Sequence, residues 1–474
     1  MAIKLFNTIT RKLEEFKPLV EGKVGFYSCG PTVYHYTHLG NLRTFLHNDF
    51  LKRMFLANGY DVRHIMNITD VGHLTNDEDD SGEDKMEKGA ARDNKSVWDI
   101  AKFYKDEFLR DFNDLNMIAP TVMPHATDYI AEQIELVQKL ENLGYTYEIP
   151  DDGIYYDTSK FVAYGALTGG SLAGNRAGAR VGFNDAKRNP TDFALWKFSP
   201  KDAKRQMEWD SPWGVGFPGW HAECSAMSMK LLGNHFDIHT GGEDLSRVHH
   251  ANEIAQSEPI TGAPWVNLWL HYSFLLDKSG EKMAKSKGEF LGMDAVRKRG
   301  YDPMVYRYFV ALGHYQSQLA FSWETMDATA KSYSNLVRRV AELLDANETD
   351  INQDVYNKWH DEMIAVMSDN LKTASVLVLV QDFIKSNDVN NATKLALIRF
   401  ADDLLGLQFI DRAQKVRALE QEVAPDDIVA LAEKRVVAKA EKNWAMADAL
   451  RAEIDASGWT VLDSKDGYKI VKKA

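Results

Sequence analysis

The stretch VGFYSCGPTVYHYTHLGNLRTF, residues 24–45, decides the fold. Residues 24–29 read as a short, half-buried strand; Gly30, Pro31 and Gly40 then punctuate a loop that enters a helix, and residues 42–58 place apolar side chains at helical spacing. DVRHIMNITDV, residues 61–71, is a second strand-like run. The chain therefore opens β–loop–α–β, the start of a doubly wound parallel sheet, and an active site is expected at the strand ends.

Working outward, residues 77–88 (DEDDSGEDKMEK) carry seven acidic and two basic residues and read as a solvated surface loop. From about 96 to 145 the pattern is helical, with Gly144 as a C-cap. Residues 146–215 are richer in Gly, Asp and Pro, as an inserted β-rich lobe would be, and a second strand–helix half resumes near 216. The chain beyond 326 is almost wholly amphipathic helix, and its end reads as one or two helices followed by a β-hairpin. The expected class is α/β, a doubly wound, Rossmann-like parallel-sheet catalytic domain with an inserted lobe, then a helical bundle and a small C-terminal α+β domain. The expected boundaries are 1–120 and 216–300 for the two halves of the catalytic domain, 121–215 for the inserted connective lobe, 301–325 for a connecting segment, 326–424 for the bundle and 425–474 for the final block.

With 474 residues and 53.7 kDa, the chain has material for about three domains. Lys and Arg number 56 against 69 Asp and Glu, a net charge of −13 with pI near 5.6. That balance excludes a general nucleic-acid coat or a binder of anionic membranes, so any nucleic-acid contact must be local. The block 425–474 holds nine basic and nine acidic residues and is locally neutral. Hydrophobic residues make up 45% and mean hydropathy is −0.38, ordinary for a globular chain. The first residues show no signal-peptide core, and no apolar run of about 18 residues occurs, so a cytoplasmic protein with no membrane partner is expected. Cys29 and Cys224 are the only cysteines, too few for a disulfide framework; in a reducing compartment they are buried fillers, nucleophiles or metal ligands.

Six of the 14 histidines, His221, His235, His239, His249, His250 and His271, fall close together in the chain near Cys224. HHANE places His249 and Glu253 at i and i+4, on one face of a helix. With Cys29 this offers two thiolates, an imidazole and a carboxylate, mixed donors suited to Zn2+, provided that the fold joins them; a small buried thiol and a plain helix face are the other readings. In THLGN (37–41) a histidine stands in a Gly-containing turn before a helix, where imidazole and helix N-terminus both suit phosphate. KMAKSK (282–287) sets three lysines in a Gly-flanked loop, with Lys282 and Lys285 as point charges for a triphosphate or, alternatively, a solvated lysine run.

Taken in order, Cys29 with GPTVYHYTHLGNLRTF, GWHAECSAM (219–227), HFDIHTGGEDLSRVHHANEIAQSE (235–258) and GEKMAKS (280–286) closely resemble the class I aminoacyl-tRNA synthetases that charge cysteine, the cysteinyl-tRNA synthetases, over essentially the whole chain. THLGN resembles the HIGH element and KMAKS the KMSKS element, with Ala284 where Ser is usual. Departures fall at Arg247 and Val248, where Phe-Pro is usual, and at Ala251, where Glu is usual; none is a ligand position. The resemblance implies Cys29, Cys224, His249 and Glu253 as ligands of one Zn2+ per chain; His38, Asn41 and Lys285 at ATP; His38, Lys282 and Lys285 as the catalytic charges; and Trp220 and His239 at the substrate. It implies L-cysteine, ATP with Mg2+, and tRNA(Cys) as partners, a monomer, and a C-terminal block that reads the anticodon, with Lys465, Lys469, Lys472 and Lys473 as candidate phosphate contacts. The nearest rival activity is a ligase that passes cysteine to an amino-sugar inositol in mycothiol synthesis, which has no need of the C-terminal extension. A catalytically silent RNA-binding paralogue is a more distant rival, and it has no physical need to keep both ATP motifs and all four metal donors.

Overall fold

A computed structural model describes residues 2–72, 74–76, 81–168, 186–200, 204–277, 280, 290–344, 349–464 and 467–472. At its centre is a four-stranded sheet of β1 (Lys23–Ser28), β2 (Asp61–Met66), β3 (Phe236–Gly242) and β4 (Val266–Tyr272), ordered β4-β3-β1-β2. Every pairing is parallel, with Ile238 opposite Phe26 and Tyr27 opposite Ile65. Residues 236–241 of β3 are buried without interruption, as befits a strand covered on both faces.

Helix α1 (Leu39–Ala57) links β1 to β2, α2 (Trp220–Leu232) leads into β3, and α3 (His249–Thr261) joins β3 to β4. The strand order places the reversal between β1 and β3. In an open α/β sheet the carboxyl ends of strands at such a reversal form the ligand crevice, and here those ends carry Cys29 and Gly242. Apolar side chains from the sheet and helices, among them Tyr27, Ile65, Trp265 and Trp269, form one core.

Residues 146–218 contribute a separate antiparallel sheet of Gly216–Pro218, Phe193–Phe198, Gly153–Tyr156 and Thr146–Ile149, whose Ile154, Tyr156 and Trp196 enter the same core. The C-cap of helix Ile130–Asn142 is Leu143, one residue before the expected Gly144, which follows at φ +78°, a conformation glycine adopts without a Cβ penalty. The acidic stretch departs from the expected solvated loop. Of its described residues, Ser81–Asp84 pairs antiparallel with Leu74–Asn76 and runs into helix Lys85–Asp93. The reason is Asp84: its carboxylate accepts from the N–H groups of Met86 and Glu87 and pairs with Arg205.

The chain divides into two compact units, residues 1–327, 361–377 and 404–406 in the first, and 328–360, 378–403 and 407–474 in the second. Within the second, helices Asp426–Ala440 and Trp444–Ala456 pack with the hairpin Trp459–Ser464 and Gly467–Lys472 around Ile428, Ala432, Ile454 and Trp459. Arg435 donates two hydrogen bonds of 2.9 Å to the Asp463 carboxylate. Lys469 and Lys472, candidate contacts for an RNA backbone, pair with Glu420 at 2.8 Å and Glu422 at 2.5 Å; Lys465 and Lys473 lie outside the described residues. Among the described residues no helix is long and apolar enough to cross a membrane.

Candidate functional site

The cleft at the carboxyl ends of β1 and β3 has two chemically different walls. One is the entry to α1. His38 is the N-cap, at φ −82° and ψ 161°, and its Nδ1 accepts from the Asn41 N–H at 3.3 Å. A Cβ on Gly40 would lie 2.9 Å from His38 Cε1, so glycine here leaves the imidazole its place. His38, Gly40 and the exposed Asn41 all line the cleft. The positive end of the dipole of a 19-residue helix therefore lies at the cleft, a setting suited to phosphate. Lys282 and Lys285 lie outside the described residues.

The other wall is a set of metal-type donors. Cys29 follows β1, Cys224 sits in the second turn of α2, and His249 and Glu253 stand one turn apart on α3; their ligand atoms lie within 4.8 Å of one another. A second group within the same limit exchanges Cys224 and His249 for His239 and His250. The two groups differ in access. Cys29, Cys224 and His249 line the cleft, whereas His239 and His250 are fully buried behind them.

Each buried partner holds a front residue in place. His239 Nε2 lies 2.8 Å from Glu253 Oε2, with its ring stacked on Trp269 at 4.6 Å. His221 Nδ1 meets His249 Nδ1 at 2.9 Å, and His250 Nε2 reaches Cys29 Sγ at 3.3 Å with His271 behind it at 2.8 Å. Trp220 lines the cleft and stacks on His249, ring centroids 4.3 Å apart. His239 is thus placed at the back of Glu253, away from the cleft surface.

The electrostatics fit a cation. Burial would raise Glu253, yet His239 and His249 hold it down to about 2. Burial would lower His249, yet Glu253 and Cys224 push it up to about 10. Burial also drives Cys29 up, while Cys224, for all its own burial, falls to about 7 beside Cys29 and His249. Glu253 Oε1 has no hydrogen bond although it is fully buried and 2.9 Å from His249 Nε2. A buried carboxylate oxygen left in this way, with two cysteine sulfurs and a histidine ring around it, matches a divalent-metal site.

The cleft also uses residues that the sequence did not single out. Asn67 Oδ1 accepts from the Gly30 N–H at 2.8 Å, Asn67 donates to Thr69 Oγ1 at 3.0 Å, and Thr69 donates to the buried Glu223 carboxylate at 2.9 Å. Lys85, from the acidic stretch, lines the same cleft. NIT at 67–69 looked like mere strand, and only the parallel pairing of β1 with β2 brings it to Gly30.

Residues 15–331 match the family model of the class I tRNA synthetase (C) catalytic domain. The chain is 45% identical over 470 residues to cysteine–tRNA ligase 1 of Burkholderia lata, covering 99% of this chain and 97% of that protein. It is 43% identical to the cysteine–tRNA ligase of Treponema denticola, with both chains fully covered. Among solved structures, Mycobacterium tuberculosis methionyl-tRNA synthetase bound by methionyl-adenylate has the same fold at TM-score 0.57 and 14% identity, covering 85% of this chain and 94% of that one. The chain belongs to the cysteine–tRNA ligase family of class I tRNA synthetases.

Proposed function

We propose that the chain activates L-cysteine with ATP and transfers it to the terminal adenosine of tRNA(Cys), with Zn2+ held by Cys29, Cys224, His249 and Glu253. One observation carries this reading: a buried thiolate–imidazole–carboxylate set opens onto a cleft whose other wall is the capped N-terminus of α1. Zn2+, when bound, supplies a Lewis acid that keeps the substrate sulfur as thiolate. Cys29, Cys224 and His249 face the cleft and so favour this set over the one containing His239 and His250.

The chain's own residues then divide the work. His239 and His221 orient Glu253 and His249, and Trp220 walls a space for a small side chain. A serine hydroxyl is a far poorer ligand than a thiol, so discrimination of roughly 10⁴–10⁵ needs no editing domain. At the other wall His38 and the positive end of the α1 dipole hold the ATP phosphates, Asn41 faces the nucleotide, and Lys282 and Lys285 offset the charge of the transferring phosphate; Mg2+ travels on the phosphate oxygens. A carboxylate oxygen of cysteine attacks the α-phosphorus and pyrophosphate leaves; the terminal ribose hydroxyl then attacks the carbonyl carbon and AMP leaves. The 425–474 block and the helices before it take the tRNA. The enzyme works as a monomer in a reducing cytoplasm, where both thiols stay available to metal. Cysteine-dependent ATP–pyrophosphate exchange followed by charging of unmodified tRNA tests the reading: exchange without charging would point to a small acceptor, and neither to a silent paralogue.

A further inference from the structure

The acidic stretch supplies the cleft with a cation. Lys85 is the first residue of helix Lys85–Asp93, placed there by the Asp84 cap and the Asp84–Arg205 ion pair. Arg205 is itself anchored, donating to the Gly72 carbonyl at 3.0 Å and lying over the Phe217 ring at 3.4 Å. Thus the lysine is carried on a braced support. Its Nζ stands 5.5 Å from the centre of the Trp220 ring, and that ring stacks on His249 at 4.3 Å, which puts the ammonium within about 10 Å of the centre of the His249 ring. Among the described residues that line the cleft, Lys85 is the only lysine or arginine.

A cysteine held by its sulfur at the donor set has its carboxylate a few bonds away, on the side where the α-phosphate must arrive. We infer that Lys85 binds the carboxylate of the cysteine substrate, and the singly charged phosphate of the adenylate once it has formed, so that one ammonium has an anionic partner before and after the step. This rests on the function proposed above. In the step, the carboxylate oxygen forms the bond to phosphorus while the bond to pyrophosphate breaks; the electron pair and the charge leave on the pyrophosphate, the α-phosphate keeps its single negative charge, and no proton moves.

The test compares cysteine with cysteamine, which keeps the thiol and amine but lacks the carboxylate, by calorimetric binding to the zinc-loaded enzyme and to Lys85→Met and Lys85→Arg. The parent should bind cysteine more tightly than cysteamine by roughly ten- to hundred-fold, the worth of one charge-assisted contact. Lys85→Met should lose that preference while binding cysteamine as the parent does, and Lys85→Arg should restore part of it. In pyrophosphate exchange the KM for cysteine should rise in Lys85→Met by a similar factor, with the KM for ATP and the zinc content unchanged. If Lys85→Met keeps the parent's cysteine-to-cysteamine ratio, or weakens both ligands equally, the inference is overturned and Lys85 is structural. If the zinc-loaded parent binds neither ligand and shows no exchange, the proposed function itself fails, which is a separate outcome.

Discussion

Replacing Glu253 by Gln keeps the shape of the side chain and removes one charge from the donor set. In the structure His239 and His249, its neighbours at 2.8 and 2.9 Å, outweigh burial and bring the Glu253 carboxyl from 4.5 to about 2. At ~1.4 kcal/mol per pH unit, this is on the order of 3 kcal/mol of preference for the charged form. A divalent ion in the same place attracts the carboxylate at least as strongly as a histidinium does. Glu253→Gln should therefore weaken zinc binding by roughly a hundred-fold or more. Competition against a chromophoric chelator at neutral pH measures the affinity directly, and the KM for cysteine should rise in the same preparation at subsaturating zinc. Zinc affinity within about three-fold of the parent would refute the reasoning, because ~0.6 kcal/mol is too little for a ligand carboxylate.

His38→Asn keeps a side chain able to cap α1 but removes the imidazole from the phosphate wall; pyrophosphate exchange should fall roughly 10²-fold with thermal stability unchanged, and equal activity would contradict the role. Gly30→Ala would place a Cβ 1.6 Å from the Asn67 carbonyl oxygen, a backbone collision, so the cleft floor must shift and both zinc affinity and exchange should drop. Asp49 is fully buried between Arg53 and Arg307, which outweigh burial and hold its carboxyl below 3.8. Asp49→Asn should cost about 3–5 kcal/mol at pH 7 by leaving Arg307 uncompensated. Because the folded-state value is depressed, that stability is present above pH 3.8 and disappears as pH falls through the lower folded value, so the urea midpoints of parent and variant should converge there.

Strand, glycine turn and helix at 24–58 follow from local pattern, and β1, α1 and β2 form within a few residues of the expected limits, although α1 is buried almost all round and takes Arg43, His47, Asp49 and Arg53 inside with its apolar residues. Donor type and spacing offered the four donor residues but left Cys29 and Cys224 open as plain buried thiols; the resemblance named the set, and the fold gathers its ligand atoms within 4.8 Å of one another. What local pattern lacks is depth. His239 stands on a strand at ordinary spacing, and only the β3–β1 register shows that it supports Glu253 from behind. Lys85 was hidden in a run of charges whose composition signals solvation, because its position depends on a cap at Asp84 and on Arg205, more than a hundred residues away. Long-range ion pairs of this kind leave no periodicity to read.

The central claim is that a metal held by two thiolates, an imidazole and a carboxylate selects cysteine by its sulfur. It is tested most directly by measuring ATP–pyrophosphate exchange with cysteine and with serine on one sample, before and after zinc removal by chelation, with metal content determined each time. One zinc per chain, exchange with cysteine favoured over serine by roughly 10⁴-fold or more, and loss of that preference on removal, restored by zinc, are the results expected. A protein that keeps full cysteine preference without metal would contradict the account.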